Sequence, residues 1–477
     1  MKSVMIKPVK ARGRALERTL EPRRKRTQSS KRSGSRNPKH HDRFDQSSYL
    51  SSSKAVKIVS MLAMMICSPF FIVFMWYTMV RADGSVEKAC RHFFQFGIRG
   101  IKDVWPFPSQ RACKLVGAFV LFEAILQALL PGERVMGPST PVGNRPLYTR
   151  NGIPCFLITL GVYYLLWRER LFNPAMVYDI IGEIYSVLIC ATYITTTLLY
   201  VKGHMAPCSS DWGSSGNVLG DFFWGMELCP RLSSVFDIKV FMNYRLGIMG
   251  WAILVISFAI KQYEVQGRVS DSLMVSSLLM LMYIAKFFWM EAAFGCSMDI
   301  AHDRAGWFMT YTCVTWIPVV NSSVNLYLVT HPIQLGRRMA STIFLLGMLC
   351  IYVVWDCDRQ RQLFRNSHGK CQIWGRIPTK IQARHQTERG ERKSLLLTAG
   401  WWGLARHIHY APEIGAAFFW TLPALFRHAM PYFYVTFLTA LLIDRANRDD
   451  KYCRVKYHKH WEAYSKKVRY KVVPRVF

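Results

Sequence analysis

The sequence predicts an all-α, polytopic integral membrane protein with about ten transmembrane helices and a C-terminal helical cofactor pocket. Half of its 477 residues (51%) are hydrophobic, and they come in long blocks rather than in short stretches. A soluble chain of this length would usually divide into two or three domains. Several blocks instead approach the roughly 20 residues that a helix needs to cross a bilayer. The third observation is the strong excess of positive charge at the two ends of the chain.

The first block, Ala55–Val80, contains no acidic residue and one lysine near its start. Nine further apolar runs follow, some of them short enough to be re-entrant or buried rather than spanning. These runs are Leu115–Leu130, Ile153–Trp167, Met176–Val201, Leu246–Ile260, Leu273–Phe294, Trp307–Val329, Thr342–Trp355, Ile414–Leu425 and Pro431–Ile443.

The basic N-terminal segment, residues 1–54, holds 16 Lys and Arg against 4 Asp and Glu. It is rich in serine and has almost no apolar periodicity, so we expect a disordered tail. Such a tail can contact anionic lipid, but its simplest role is to keep the N-terminus in the cytoplasm. An even number of spans then places both termini there, and residues 55–477 form the membrane domain.

The C-terminal part, residues 356–477, carries 23 Lys and Arg against 9 Asp and Glu, and it interleaves these charges with aromatic residues. Guanidinium groups bind phosphate oxygens, and aromatic side chains stack on flat rings. Arg361 and Arg365 are four residues apart and share one helical face. This composition favours a nucleotide cofactor. Nucleic acid is not expected as a partner, because membrane-length runs adjoin the basic residues.

A second polar face lies near the C-terminus. If Asp444–Tyr464 is one continuous helix, five residues fall within a sector about 100° wide. They are Asp449, Cys453, Lys456, Tyr457 and Tyr464. A surface-lying membrane helix would show an apolar stripe there, so we interpret this sector as a binding wall. The sequence has no Gly-rich dinucleotide or Walker motif and no metal-ligand spacing, and we expect no metal.

Several stretches resemble the sterol reductases, a family of endoplasmic reticulum membrane enzymes. The most extensive are "GWWGLARHIHYAPEIGAAFFWTLPALF" and "LLIDRANRDDKYCRVKYHKHWEAYSKKVRYKVVPRVF", supported by "GDFFWGMELCPRL" and "FFWMEAAFGCSMDIAHDRAGW". The resemblance implies NADPH-dependent reduction of a sterol double bond within a membrane. The residues are most similar to the plant-type Δ7 branch, and the Δ14 and Δ24(28) branches remain alternatives.

The resemblance also implies the cofactor contacts, carried over motif by motif. The matching positions are Arg361, Arg365, Leu397, Trp402, His409, Tyr410, Asp449, Cys453, Arg454, Val455, Lys456, Tyr457 and Tyr464. His458 stands where most relatives have glycine, a difference to which we attach little chemical weight. In the sterol-binding half, Thr312 replaces a usual glycine and Asn321 a usual tyrosine, so the exact substrate stays open.

Reduction of an unactivated olefin requires a proton donor before the hydride arrives, and burial raises the pKa of a carboxyl group as this role requires. The candidate acids are Glu291, Asp299 and Asp303, with Glu227 as a fourth; Glu291 is favoured because it follows an apolar span. Two other protein classes remain open. One is the membrane methyltransferases that modify prenylated cysteine, and the other is a non-catalytic protein similar to the lamin B receptor.

Overall fold

The long apolar runs form helices that are long enough to cross a membrane. The computed structural model describes residues 54–138, 140, 142–233, 236–295, 297–387 and 390–476, so the predicted tail lies outside the described residues apart from Lys54. Within those residues, seven helical spans are long and apolar enough to cross a bilayer. They are Ala55–Val80, Gln110–Leu129, Ile181–Met205, Ile238–Gln266, Asp271–Trp289, Trp307–Thr330 and Gly336–Asn366. Gly152–Arg168 is a shorter apolar helix.

The two remaining predicted spans, Ile414–Leu425 and Pro431–Ile443, also overlap helices. The first overlaps a helix of 12 residues, and the second overlaps the first half of a helix of 25 residues. The prediction of a polytopic helical membrane protein is therefore confirmed, and the count of ten is approximate.

The helices of the first part are α1 (Lys54–Val80), α2 (Val86–Val104), α3 (Gln110–Leu129), α4 (Gly152–Arg168), α5 (Ala175–Asp179), α6 (Ile181–Met205), α7 (Val218–Trp224), α8 (Ile238–Val240), α9 (Met249–Gln266) and α10 (Asp271–Trp289). The second part contains α11 (Glu291–Phe294), α12 (Met298–Ala301), α13 (Trp307–Tyr311), α14 (Ile317–Asn321), α15 (Ser323–Thr330), α16 (Gly336–Asn366), α17 (Tyr410–Thr421), α18 (Phe433–Tyr457) and α19 (Lys459–Lys467).

Two antiparallel hairpins are present that the sequence did not predict. β1 (Glu133–Met136) pairs with β2 (Leu147–Arg150), and β3 (Lys380–Thr387) pairs with β4 (Gly390–Leu397). The second hairpin is amphipathic, because Ile381 and Leu396 pack on aromatic residues of α18 and α19. Its many charged residues obscure this alternation in the sequence. The region that the sequence predicts as a helical cofactor pocket is therefore not built from helices alone.

Two π-helical segments interrupt the membrane helices. Phe241–Ile248 joins α8 to α9, and Thr312–Trp316 joins α13 to α14. A side chain at Gly247 would place its Cβ 2.7 Å from the carbonyl oxygen of Cys313, so only glycine allows this close approach. Thr312 begins the second segment and donates its hydroxyl to the carbonyl of Phe308 at 2.8 Å. π-Helical turns are uncommon and occur often at functional sites.

The C-terminal helix is broken where the sequence analysis expected it to continue. α18 ends at Tyr457, and α19 begins at Lys459. Between them, His458 has φ 47° and ψ −123°, a conformation that favours glycine. The interpretation of Asp444–Tyr464 as one continuous helix is therefore wrong. The substitution of glycine by His458 also carries more physical weight than the sequence suggested.

Candidate functional site

The predicted cofactor residues meet at one end of the helical bundle. The region is bounded by the end of α16, the end of β4, the 3-10 turn Gly400–Gly403, the start of α17 and the last turns of α18. Tyr464 enters it from α19, where it is buried with Cys453 and Tyr457. The residues thus come from six separate elements rather than from one helical face.

The turn Gly400–Gly403 is fixed to the last turns of α16 by its two tryptophans. Trp402 donates its indole N–H to the carbonyl of Cys357 at 2.9 Å, and Trp401 donates to the Asp356 carboxylate at 2.8 Å. Gln360 Oε1 accepts the backbone N–H of Trp401 at 3.1 Å. Trp402 is buried in a small cluster that also contains Leu397. These contacts hold the Trp402 ring in one orientation.

Arg361 lies over the ring of Trp402, with its guanidinium carbon 5.0 Å from the ring centroid. One guanidinium nitrogen is 3.1 Å from the carboxylate of Asp358, one turn earlier in α16. The other oxygen of Asp358 is 3.1 Å from the ammonium group of Lys286 on α10. Asp358 therefore forms ion pairs with two cations at once. The positive charge of Arg361 is partly neutralised by Asp358, and its guanidinium lies beside the plane of the Trp402 ring.

His407, His409 and Tyr410 form an aromatic wall opposite Trp402. The His407 and Tyr410 rings stack at 5.2 Å, and the His409 ring lies 5.0 Å from Trp402. Burial keeps the pKa of His409 well below its usual value, so its imidazole is neutral at pH 7. Its Nδ1 is buried, and no described residue forms a hydrogen bond with it. An unsatisfied buried nitrogen is costly, so this atom is a candidate for a ligand contact.

Arg406 braces the site rather than facing it. Its guanidinium donates to the carbonyls of Val468 and Arg469 at 2.9 and 3.2 Å, and it lies 3.4 Å from Asp450. Its backbone N–H bonds the carbonyl of Tyr470 at 3.0 Å. Arg406 thus ties the turn before α17 to the C-terminal segment.

The second half of α18 brings the predicted polar face toward this wall. Asp449 lies 3.4 Å from Nε2 of His407, although the two atoms are not aligned for a hydrogen bond. The ammonium group of Lys456 lies 5.4 Å from the ring centroids of both Tyr452 and Tyr457. Two predicted residues are not brought to this cluster. Val455 is 72% exposed, and Arg454 points outward to an ion pair with Asp450 at 3.5 Å.

Arg365 lies one helical turn beyond Arg361, close enough to Lys456 and Tyr457 to affect the pKa of both. Burial lowers the pKa of Lys456 and Arg365 lowers it further, whereas Cys453 and Asp449 act in the opposite direction. This end of the wall therefore brings two cations and the carboxylate of Asp449 close together.

The predicted acids lie elsewhere. Glu291 is buried at the start of α11, where its carboxylate accepts the Gly152 N–H at 2.8 Å and lies 3.8 Å from buried Arg245. Burial raises the pKa of Glu291, while Arg245 and the Gly152 N–H act in the opposite direction. The carboxylate faces α4 and not the aromatic wall. The Asp303 carbonyl accepts from Lys239 at 2.8 Å, and the side chain of Asp299 lies outside what the structure describes.

The remaining sequence candidate, Glu227, is held by Lys202 at 2.7 Å and accepts the backbone N–H of Cys208 at 2.6 Å. These two contacts give Glu227 a structural role in holding the polar connector.

The sequence analysis missed one pair that lies directly beside the wall. Glu413, one turn into α17 from His409, accepts a hydrogen bond from the Tyr283 hydroxyl at 3.0 Å. Tyr283 is on α10, three residues before Lys286. The side chains of Tyr283 and Glu413 are part-buried. The signal available in the sequence was the presence of Lys286 and Tyr283 on one face of an otherwise apolar helix.

Comparisons with known proteins match the membrane domain to one family of sterol enzymes. Residues 52–477 match the family model described as the ergosterol biosynthesis ERG4/ERG24 family. The chain is 53% identical over 426 residues to the 7-dehydrocholesterol reductase of Arabidopsis thaliana, covering 89% of this chain and 99% of that protein. It is 31% identical to the zebrafish (Danio rerio) 7-dehydrocholesterol reductase, with 88% and 91% covered. The Delta(14)-sterol reductase of Methylotuvimicrobium alcaliphilum is also 31% identical, with 88% and 95% covered.

Proposed function

Because the chain belongs to the ergosterol biosynthesis ERG4/ERG24 family, we propose that it is an NADPH-dependent sterol reductase that reduces the Δ7 bond of a Δ5,7-sterol. The observation that carries the proposal is the meeting of basic and aromatic side chains from α16, α17 and α18 at the end of a membrane bundle. This arrangement suits a phosphate-bearing cofactor that must reach a lipid substrate.

The residues present fit a nicotinamide dinucleotide. The neutral imidazole of His409 has an unsatisfied buried nitrogen, which matches the carboxamide of a nicotinamide ring. The Trp402 and Tyr410 rings both contact the His409 ring and provide flat surfaces beside it. Arg361, Arg365 and Lys456 supply positive charge farther out for phosphate groups. When bound, NADPH supplies a hydride, and the chain supplies its position and a site from which water is excluded.

The chain itself must deliver the proton. We propose that the Tyr283–Glu413 pair performs this step, with the Tyr283 hydroxyl facing the sterol and Glu413 returning a proton to it. Asp358 is engaged by two cations, whereas Glu413 has a neutral phenol as its hydrogen-bond partner. A carboxyl group without a direct cationic partner is the better acid in a buried position. Glu291, Asp299 and Asp303 stay as competing candidates.

The choice of the Δ7 bond is supported by the plant relative named for 7-dehydrocholesterol, which is 53% identical. The zebrafish relative named for 7-dehydrocholesterol and the bacterial relative named for the Δ14 bond are both 31% identical and do not separate the branches. The Δ7 bond is also the chemically easier one in a conjugated diene, because its protonation leaves an allylic cation. Reduction of a Δ14 or Δ24(28) bond is the alternative within the same family.

We further propose that the protein lies in the endoplasmic reticulum membrane with both termini in the cytosol, where NADPH is available. The expected even number of spans and the basic N-terminal segment are the basis for this orientation. Protease added to sealed microsomes should remove a tag from either end. Protection of one end but not the other would contradict an even number of spans.

The test of function is a reconstitution experiment. Purified protein in detergent is given NADPH and either a Δ5,7-sterol, a Δ8,14-sterol or a Δ24(28)-sterol, and the products are identified by mass spectrometry. We expect NADPH oxidation with the Δ5,7-sterol and a product lacking the Δ7 bond. Reduction of the Δ14 or Δ24(28) bond instead would move the protein to another branch, and no oxidation with any sterol would favour a non-catalytic role.

A further inference from the structure

The segment that follows α16 exposes apolar and basic side chains together. Residues 370–380 read "KCQIWGRIPTK", with three basic residues and no acidic one. Trp374 is 58% exposed and Ile377 is 79% exposed. Lys370 and Arg376, on either side of Trp374 in the sequence, are exposed as well. A large exposed tryptophan beside unpaired types of charge is characteristic of a binding surface.

A tight turn holds Trp374 at its tip. The backbone N–H of Ile373 donates to the carbonyl of Arg376 at 2.9 Å, and the Arg376 N–H donates back to Ile373 at 3.2 Å. The two residues between them, Trp374 and Gly375, have φ of 50° and 73°. Positive φ is uncommon for a side chain as bulky as tryptophan. The fold therefore presents Trp374 at this tip at a cost in backbone strain, which is typical of functional positions.

Ile373 anchors this turn, residues 373–377, to the rest of the C-terminal part. Its side chain is buried in one cluster with Trp402. It also lies so close to Gly400 that a Cβ there would be 2.6 Å from it. Trp374 packs edge-on against Trp401, with ring centroids 5.3 Å apart. The turn is thus fixed in position by the same residues that form the turn Gly400–Gly403.

These contacts place the Trp374 ring at the level where α16 leaves the bilayer. The apolar run of α16 ends at Trp355, and Asp356 is the first charged residue after it. Trp401 donates its indole N–H to the Asp356 carboxylate at 2.8 Å, and Trp374 lies against Trp401. The chain therefore folds back from the end of α16 to the membrane boundary. Tryptophan is enriched at this level, because its ring is apolar and its N–H is polar.

We propose that the turn of residues 373–377 docks on the membrane surface and binds anionic phospholipid. Trp374 and Ile377 enter the headgroup layer, where their apolar surface leaves water. Lys370 and Arg376 lie beside the lipid phosphate groups. Charge complementarity favours anionic lipid, since the segment has no acidic residue to repel it. The inference does not depend on which reaction the protein catalyses.

The test replaces Ile377 by the photo-crosslinking residue benzoylphenylalanine in the full chain. The protein is reconstituted in vesicles of equal amounts of phosphatidylcholine and phosphatidylserine, irradiated, and analysed for lipid adducts by mass spectrometry. One basic residue near an anionic surface favours it by about fivefold. We therefore expect phosphatidylserine adducts to exceed phosphatidylcholine adducts by about fivefold or more. The same crosslinker at Lys459, exposed at the start of α19 beyond the polar half of α18, should give almost no lipid adduct.

A charge reversal separates a specific surface from the overall positive charge. The double variant Lys370→Glu and Arg376→Glu should lose the preference for phosphatidylserine at position 377. Lys466→Glu and Lys467→Glu change the net charge equally at exposed residues of α19 and should keep that preference. Thermal unfolding in detergent shows that each variant is folded. Absence of lipid adducts at position 377, or an unchanged preference in the first double variant, would overturn the proposal.

Discussion

Replacement of Glu413 by glutamine removes one transferable proton and preserves nearly all of the geometry around it. The amide oxygen of glutamine can still accept the Tyr283 hydroxyl, which lies 3.0 Å from the carboxylate. The change removes the attraction between Glu413 and nearby Lys286, but Lys286 keeps its ion pair with Asp358 at 3.1 Å. We therefore expect Glu413→Gln to fold normally and to bind NADPH within about twofold of the wild type.

The expected effect on chemistry is large. A positioned general acid contributes about 10²- to 10⁴-fold to a rate, which is about 2.7–5.5 kcal/mol of activation free energy. Glu413→Gln should lower the single-turnover rate by this factor. Tyr283→Phe should lower it similarly, because it removes the hydroxyl that faces the substrate. Glu413→Asp keeps the acid but shortens the side chain, so it should recover part of the lost rate.

The assay is a single-turnover measurement in detergent, with NADPH bound first and the Δ5,7-sterol added by rapid mixing. Nicotinamide absorbance reports hydride transfer, and the matched comparison is Glu291→Gln. If Glu413 supplies the proton, its variant loses far more rate than the Glu291 variant. A wild-type rate in Glu413→Gln would refute this assignment, and a selective loss in Glu291→Gln would return the role to that residue. Loss of NADPH affinity in Glu413→Gln would show a structural role instead.

Three further predictions follow from the contacts. His458→Gly should raise the free energy of unfolding by about 1 kcal/mol, because glycine adopts the positive φ of this position without strain; thermal unfolding in detergent measures it. Arg365→Ala should weaken NADPH at least about tenfold and spare NADH, whereas Arg361→Ala should weaken both, as titration of each nucleotide would show. Glu291→Gln should lower stability by about 1–3 kcal/mol, because it removes the carboxylate 3.8 Å from fully buried Arg245; unchanged thermal stability would contradict this.

Local periodicity predicted part of the candidate site well. Asp449, Cys453 and Lys456 lie within two turns of α18, so helical spacing alone placed them on one face. The sequence analysis assigned Tyr464 to that face by assuming one continuous helix. The chain instead turns at His458, and α19 places Tyr464 beside Cys453 and Tyr457. The Tyr283–Glu413 contact joins residues 130 positions apart, and one sequence without the fold contains no information that pairs them.

The polar residues beside the wall show how a charged site can adjoin hydrocarbon. From the outside inward, Arg361, Asp358 and Lys286 alternate in sign, with neighbouring groups 3.1 Å apart. Each charge is thereby offset by the next, which reduces the cost of burial that an isolated ion would carry. The series ends at the hydrogen-bonded Tyr283–Glu413 pair, and the charge of Lys286 also acts on the Glu413 carboxyl group. The arrangement therefore separates a charged outer part, suited to a dinucleotide, from an inner part suited to a lipid.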